Sequence, residues 1–149
     1  MGELSQHTIA KVSGPAWESL RGQFMQISRL LLAVSPDADS ELMTTYVKFT
    51  IHSDLQSPVF AVIWLNSSKR LIVGLALPKE YEAEELGPAP PKMTYKGLHK
   101  YFVVERSSAV PKGFAEWAKI AYQNTLSAEP LAGLMDQIAV RARVLLRAD

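Results

Sequence analysis

Two nearly unbroken apolar segments, separated by a short polar turn, place the strongest constraint on how this chain can fold. They are VFAVIWLN over 59–66 and RLIVGLALP over 70–78, and SSK joins them. Neighbouring side chains of a strand point to opposite sides of a sheet, so a continuously apolar strand is covered on both faces. The turn is too short for a crossover, and we expect the two segments to pair as an antiparallel hairpin. Gly74 inside the second segment predicts a bulge or the close approach of a covering side chain.

Two further segments have the composition of strands. MTTYVKFTI over 43–51 and KYFVVER over 100–106 are rich in β-branched and aromatic residues. Between the hairpin and the last strand lies KEYEAEELGPAPPK, whose glutamates could occupy a short helix that ends at Gly87. The prolines after that glycine predict a stiff, extended connector.

Apolar residues at spacings of three and four predict three helices, over 15–34, 111–125 and 131–148. For the first helix we expect Ser13 as the N-cap and Ser35-Pro36 as the end. The element order is segregated rather than alternating, which indicates an α+β fold: a mostly antiparallel sheet of four or five strands with helices packed on it. We expect one domain over 1–149, with 1–13 as an N-terminal arm and 131–148 as a C-terminal helix. The predicted core is Trp17, Phe24, Ile27, Leu31, Phe60, Val62, Trp64, Ile72, Leu75, Phe102, Val104, Phe114 and Trp117.

Charge and composition exclude several functional classes. The 149 residues carry a formal charge of +1, whereas a dedicated duplex-DNA binder usually has a larger basic excess. The chain has no cysteine, which excludes disulfides and thiolate chemistry. The start lacks the pattern of a signal peptide, and the apolar runs are shorter than a membrane span needs. We therefore expect a cytoplasmic protein that does not enter a membrane.

No motif of a nucleotide-binding loop, a zinc protease or a nucleophile elbow occurs in the sequence. The three histidines, His7, His52 and His99, are scattered without the spacing of metal ligands. We accordingly expect neither a cofactor nor a metal ion.

The stretch KMTYKGLHKY, residues 92–101, mixes basic and aromatic residues in a way that favours anion binding. Tyrosine rings beside lysines are a common means of holding nucleotides or single-stranded nucleic acid. With donors on other predicted strands, the candidate ligand-binding residues are Lys48, Lys96, His99, Lys100 and Arg106, and Tyr46 is a further candidate neighbour. Alternation along the strand sends His99 and Lys100 to opposite faces, so the cluster cannot all converge, and the alternative interpretation is a solvated loop.

These residues are donors, better suited to receiving a phosphate or carboxylate than to abstracting a proton. We therefore expect a non-catalytic binding or accessory domain for an anionic small molecule or a nucleic acid. One alternative is a hydrolase or transferase that uses His99 as a general base. Another is a homodimer that binds no ligand, because Met135, Val140 and Val144 lie outside the apolar stripe of the last predicted helix.

Several segments together resemble an uncharacterised bacterial family, domain of unknown function 5655. They are VKFT, FAVIWL, RLIVGLALP, LHKYFVVERS and GFAEWAKIAY, within residues 15–125. The matching positions are Phe60, Trp64, Gly74, Leu75, His99, Val103, Val104, Arg106, Ser107, Trp117, Ala121 and Tyr122. Lys100 stands where the family pattern leads us to expect a second histidine. The resemblance implies a shared core and assigns no activity.

Overall fold

The computed structural model describes residues 2–52 and 57–127. The elements follow in the order α1 (Gln6–Lys11), a 3-10 turn (Pro15–Trp17), α2 (Arg21–Leu32), β1 (Ala38–Leu42), β2 (Tyr46–Ile51), β3 (Val59–Trp64), β4 (Arg70–Leu75), β5 (Lys100–Glu105) and α3 (Phe114–Leu126). The predicted helix over 131–148 lies outside the described residues.

The strands form one five-stranded antiparallel sheet in the order β1-β2-β3-β4-β5, which confirms the predicted α+β fold. β3 and β4 are the predicted hairpin, and both are almost wholly buried. The register of β2 with β3 shifts between Phe49 and Thr50, which leaves Phe60 without a register partner. Phe60 packs edge-on against Tyr122 of α3, with 5.6 Å between the ring centroids.

The two faces of the sheet are covered by different parts of the chain. Phe102 contacts the rings of Phe114 and Trp117, so α3 packs on the face that carries Phe102. Tyr101 precedes Phe102 in β5 and therefore lies on the opposite face. There its hydroxyl accepts a hydrogen bond of 2.9 Å from the backbone N–H of Tyr95, in the segment between β4 and β5. We call this segment, residues 76–99, the connector.

β1 was not predicted, because its sequence, ADSEL, is polar and lacks the β-branched residues typical of strands. It pairs along its whole length with β2, and Glu41 lies opposite Lys48. The strand forms one edge of the sheet, where polar side chains are common.

The prediction of one helix over 15–34 is wrong in its first turns. Pro15–Trp17 is a 3-10 turn, and α2 begins at Arg21. The Arg21 guanidinium donates to the carbonyls of residues 12, 13 and 14 at 2.7–2.9 Å. These hydrogen bonds fix the chain before α2 in a path that does not continue the helix. Ser13 does not cap the helix. Its hydroxyl donates to the carbonyl of Ile9, in the region expected to be an arm.

That region contains α1, whose N-cap is Ser5. The Ser5 hydroxyl accepts a hydrogen bond from the backbone N–H of Thr8, which satisfies one of the free donors at the helix start. The glutamate-rich part of the connector, by contrast, forms turns and no helix. Its glutamates repel one another at helical spacing, and Gly87 instead exchanges two backbone hydrogen bonds of 2.8 Å with Tyr101.

Twelve of the thirteen predicted core residues are buried, and Trp64 is the exception. Trp64 is partly exposed because it ends β3 on the face that the helices leave open. Gly74 is approached by a covering side chain, as predicted. A Cβ atom at this position would lie 2.6 Å from Cε2 of Tyr101.

Candidate functional site

The five residues predicted to bind a ligand do not meet at one point. Lys48 lies in β2, Lys96 and His99 lie in the connector, and Lys100 is the first residue of β5. Arg106 follows the end of β5. A strand rises about 3.3 Å per residue, so Arg106 lies about 20 Å from the start of β5. Of the five, His99 and Lys100 line a common cleft.

Arg106 makes a hydrogen bond that links two parts of the fold. Its guanidinium Nε donates to the carbonyl oxygen of Ser68 at 3.1 Å. Ser68 lies in the turn between β3 and β4, so the arginine ties this turn to the end of β5. This contact aims the guanidinium away from the other predicted donors.

The cleft beside His99 and Lys100 has a volume of about 580 Å³ and a mixed charge. Two carboxylates of the connector, those of Glu82 and Glu84, line it with the two basic residues. Acidic walls oppose the binding of a simple anion, because like charges repel more strongly away from bulk water. The arrangement therefore differs from the anion site that the basic stretch predicted.

A second cluster lies on the sheet face opposite α3 and consists of Tyr46, Trp64 and Tyr95. We call it the aromatic face. The rings of Tyr46 and Trp64 lie 4.8 Å apart at 53°, and those of Tyr46 and Tyr95 lie 5.8 Å apart at 75°. All three residues are partly exposed. Partly exposed rings in contact offer a surface on which a planar group can stack.

The aromatic face comes from three separate parts of the chain. Tyr46 and Trp64 are register partners in β2 and β3, and Tyr95 arrives on the connector. Tyr95 is held there through its backbone N–H, which donates to the Tyr101 hydroxyl. The sequence pointed to both tyrosines but placed Trp64 in the core. The alternation of β2, which puts Tyr46 and Lys48 on one face, is the signal that could have indicated this surface.

Two lysines are close in sequence to residues of the aromatic face. Lys48 lies two residues from Tyr46 on the same face of β2, and Lys96 follows Tyr95 and is exposed. The Lys48 ammonium lies 3.5 Å from the carboxylate of Glu41, and the two side chains are 25% and 64% exposed. An ion pair this exposed contributes about 0–1 kcal/mol, so a ligand can displace the carboxylate at little cost.

Two polar groups of this region have unusual surroundings. Burial raises the pKa of Tyr95, and the charge and hydroxyl of the neighbouring Tyr46 raise it further. The indole Nε1 of Trp64 is buried and has no hydrogen-bond partner within residues 2–52 and 57–127. A buried donor without an acceptor costs about 1–3 kcal/mol.

No protein-family model, curated protein or solved structure matches the chain. The resemblance to domain of unknown function 5655 therefore stays a prediction. In the described part of the chain, no helix is long and apolar enough to cross a membrane. No three histidine, aspartate or glutamate side chains come together as a metal site within the same ranges.

Proposed function

We propose that this protein is a non-catalytic binding or accessory domain for a planar anionic ligand, either a nucleotide-like small molecule or a short single strand of nucleic acid. The observation that carries the proposal is the aromatic face, together with Lys48 on the same face of β2 as Tyr46 and the exposed Lys96 next to Tyr95 in the chain. The ligand's planar group stacks on the rings, and its phosphate or carboxylate replaces Glu41 as the partner of Lys48.

The energies of the two contacts support a small ligand. Stacking of a base on an aromatic side chain contributes about 1–3 kcal/mol. The net charge of +1 supplies little long-range attraction, so a few direct contacts must provide the affinity. A nucleotide or a short strand fits this balance better than a long duplex does.

A thermal-shift screen with nucleotides, short oligonucleotides and organic acids tests the proposal. A ligand at 100 times its Kd adds about 2.7 kcal/mol to the free energy of unfolding and raises the melting temperature measurably. We expect Tyr95→Leu and Lys48→Gln each to weaken the shift. Tyr81→Leu, in the same connector, and Lys119→Gln, on α3, serve as matched controls that leave the shift intact. The absence of any shift, or equal loss in the controls, contradicts the proposal.

The cleft supports one alternative, a hydrolase or transferase in which His99 acts as a general base. His99 shares this cleft with Glu82 and Glu84, and either carboxylate could orient the imidazole. The test is hydrolysis of a panel of nitrophenyl esters and phosphates, followed by His99→Ala. Turnover that is lost in His99→Ala but kept in His52→Ala supports the alternative.

We further propose a cytoplasmic location and self-association as a homodimer. The association rests on the apolar pattern of 131–148, which lies outside the described residues. Light scattering on the full chain and on a chain shortened to end at Ser127 tests it. A full chain that stays monomeric at high concentration contradicts the homodimer.

A further inference from the structure

β5 leaves part of its outer edge without a partner. Tyr101 exchanges both of its backbone hydrogen bonds with Gly87, so its N–H and C=O point away from β4. Backbone groups alternate in direction along an antiparallel strand, and those of Val103 and Glu105 therefore point the same way. The Glu105 carbonyl accepts from Ser108, whereas the N–H groups of Val103 and Glu105 and the Val103 carbonyl bond to no residue of the described chain.

The surroundings of this edge are acidic and concave. A cleft of about 510 Å³ runs between β5 and the connector, and Glu84, Glu85 and Val103 are among its lining residues. Val103 is 42% exposed, one of two large apolar side chains in the described ranges with this much exposure. Glu105, two residues further along the edge, is also exposed.

We propose that this edge binds a short, extended, basic peptide segment of another protein, which adds to the sheet beside β5 and continues the line begun by Gly87. The open backbone groups of Val103 and Glu105 supply the hydrogen bonds of strand addition. The exposed Val103 side chain packs against an apolar residue of the peptide. Lysine or arginine residues of the peptide meet the carboxylates of Glu84 and Glu85, which line the cleft.

The charges along β5 favour such a peptide over a second copy of the same strand. In an antiparallel pair of two β5 strands centred on Val103, Arg106 of one copy lies opposite Lys100 of the other. Like charges directly opposite each other destabilise a sheet. In addition, Gly87 already occupies the edge at Tyr101 in each copy.

The test is fluorescence anisotropy with the full chain and a labelled, acetylated hexapeptide of alternating valine and lysine. We expect saturable binding that weakens as salt is raised, because the attraction to the glutamates is screened. A peptide of the same sequence with N-methylated backbone amides should not bind, since it cannot form the strand.

Separate variants test the open backbone edge at Val103 and the carboxylates of Glu84 and Glu85. Val103→Pro removes the open N–H, and proline is tolerated there because edge N–H groups are outside the ladder. It should abolish binding, whereas Val103→Ala, which keeps the N–H, should only weaken it. Glu84→Lys with Glu85→Lys should weaken binding by about tenfold or more. Glu3→Lys with Asp39→Lys changes the net charge equally at exposed positions on or beside β1, the opposite edge of the sheet, and should leave binding unchanged.

Hydrogen exchange provides a second readout. The amides of Val103 and Glu105 should become protected when the peptide is added. Three results would overturn the proposal: no binding of the hexapeptide, binding by Val103→Pro that equals that of the parent, or a homodimer in which this edge is protected without peptide.

Discussion

At the scale of single residues, the side chain of Tyr101 explains why glycine occupies position 74 in the neighbouring strand. The ring of Tyr101 crosses the strand at Gly74, where any other residue would place a Cβ atom 2.6 Å from a ring carbon. Tyr101 and Gly74 are register partners in β5 and β4. The ring cannot move aside easily, because Tyr101 is buried and its hydroxyl holds the connector.

We predict that Gly74→Ala lowers the free energy of unfolding by about 1–3 kcal/mol, the usual cost of overpacking a buried site. Chemical denaturation measures the change. Gly22→Ala is the matched control. Gly22 lies in α2 with open space around it, and alanine should stabilise the protein there by about 0.5–1 kcal/mol. Equal effects at both positions would show that Tyr101 does not press on Gly74.

At the scale of elements, the connector is the part of the fold that creates both candidate surfaces. Its tether to Tyr101 places Tyr95 against Tyr46, and its bridge at Gly87 forms the wall of the cleft along β5. The tether joins the backbone N–H of Tyr95 to the hydroxyl of Tyr101, and the side chains of both tyrosines titrate. Burial raises the pKa of Tyr101, although the hydrogen bond from the Tyr95 backbone partly lowers it, and the pKa of Tyr95 is raised as well.

These shifts predict a loss of stability in alkaline solution. Both folded-state pKa values lie above about 10, the value of tyrosine in an unfolded chain. As the pH rises past 10, the unfolded chain loses protons that the folded protein keeps, so the free energy of unfolding falls. The contribution is complete below pH 10 and is lost as the pH rises through the folded-state pKa values. Denaturation curves between pH 8 and pH 11 measure the slope.

Tyr101→Phe should make this alkaline slope shallower, because one titrating group is removed. At neutral pH it should cost about 0.5–1.5 kcal/mol through the lost hydrogen bond to the Tyr95 N–H. Tyr122→Phe, which loses a hydroxyl bonded to Ser35, is the control. It should leave hydrogen exchange of the connector unchanged, whereas Tyr101→Phe should accelerate it. An unchanged slope in Tyr101→Phe would mean that this hydroxyl does not carry the pH dependence.

At the scale of the whole molecule, stability should be graded from the middle of the sheet to its edges. β3 and β4 are paired on both sides and covered on both faces, whereas β1 and β5 are edge strands. Buried, doubly paired strands open only with global unfolding, while edges open locally.

We predict that backbone amides of β3 and β4 exchange with solvent at least about 100-fold more slowly than those of β1, after correction for intrinsic rates. A ratio of 100 corresponds to about 2.8 kcal/mol. Native-state hydrogen exchange measured by NMR checks the gradient, and α1, a short helix near the chain start, should exchange fastest of the helices. Uniform protection across the five strands would contradict a sheet ordered as described.

The apolar runs over 59–66 and 70–78 and the helical periodicity before Ser35 determined the α+β class, the central hairpin and nearly all of the core. Those signals are local, because turn length and side-chain period are read within a few residues. Tertiary structure alone decided that polar ADSEL becomes an edge strand and that Trp64 is partly exposed. It also decided that Arg21 binds the carbonyls of residues 12–14, so that α2 begins later than predicted. It also separated Arg106 from His99 and brought Tyr46 to Tyr95. Strand register and the path of the connector determine these contacts, and both depend on interactions between residues far apart in the chain.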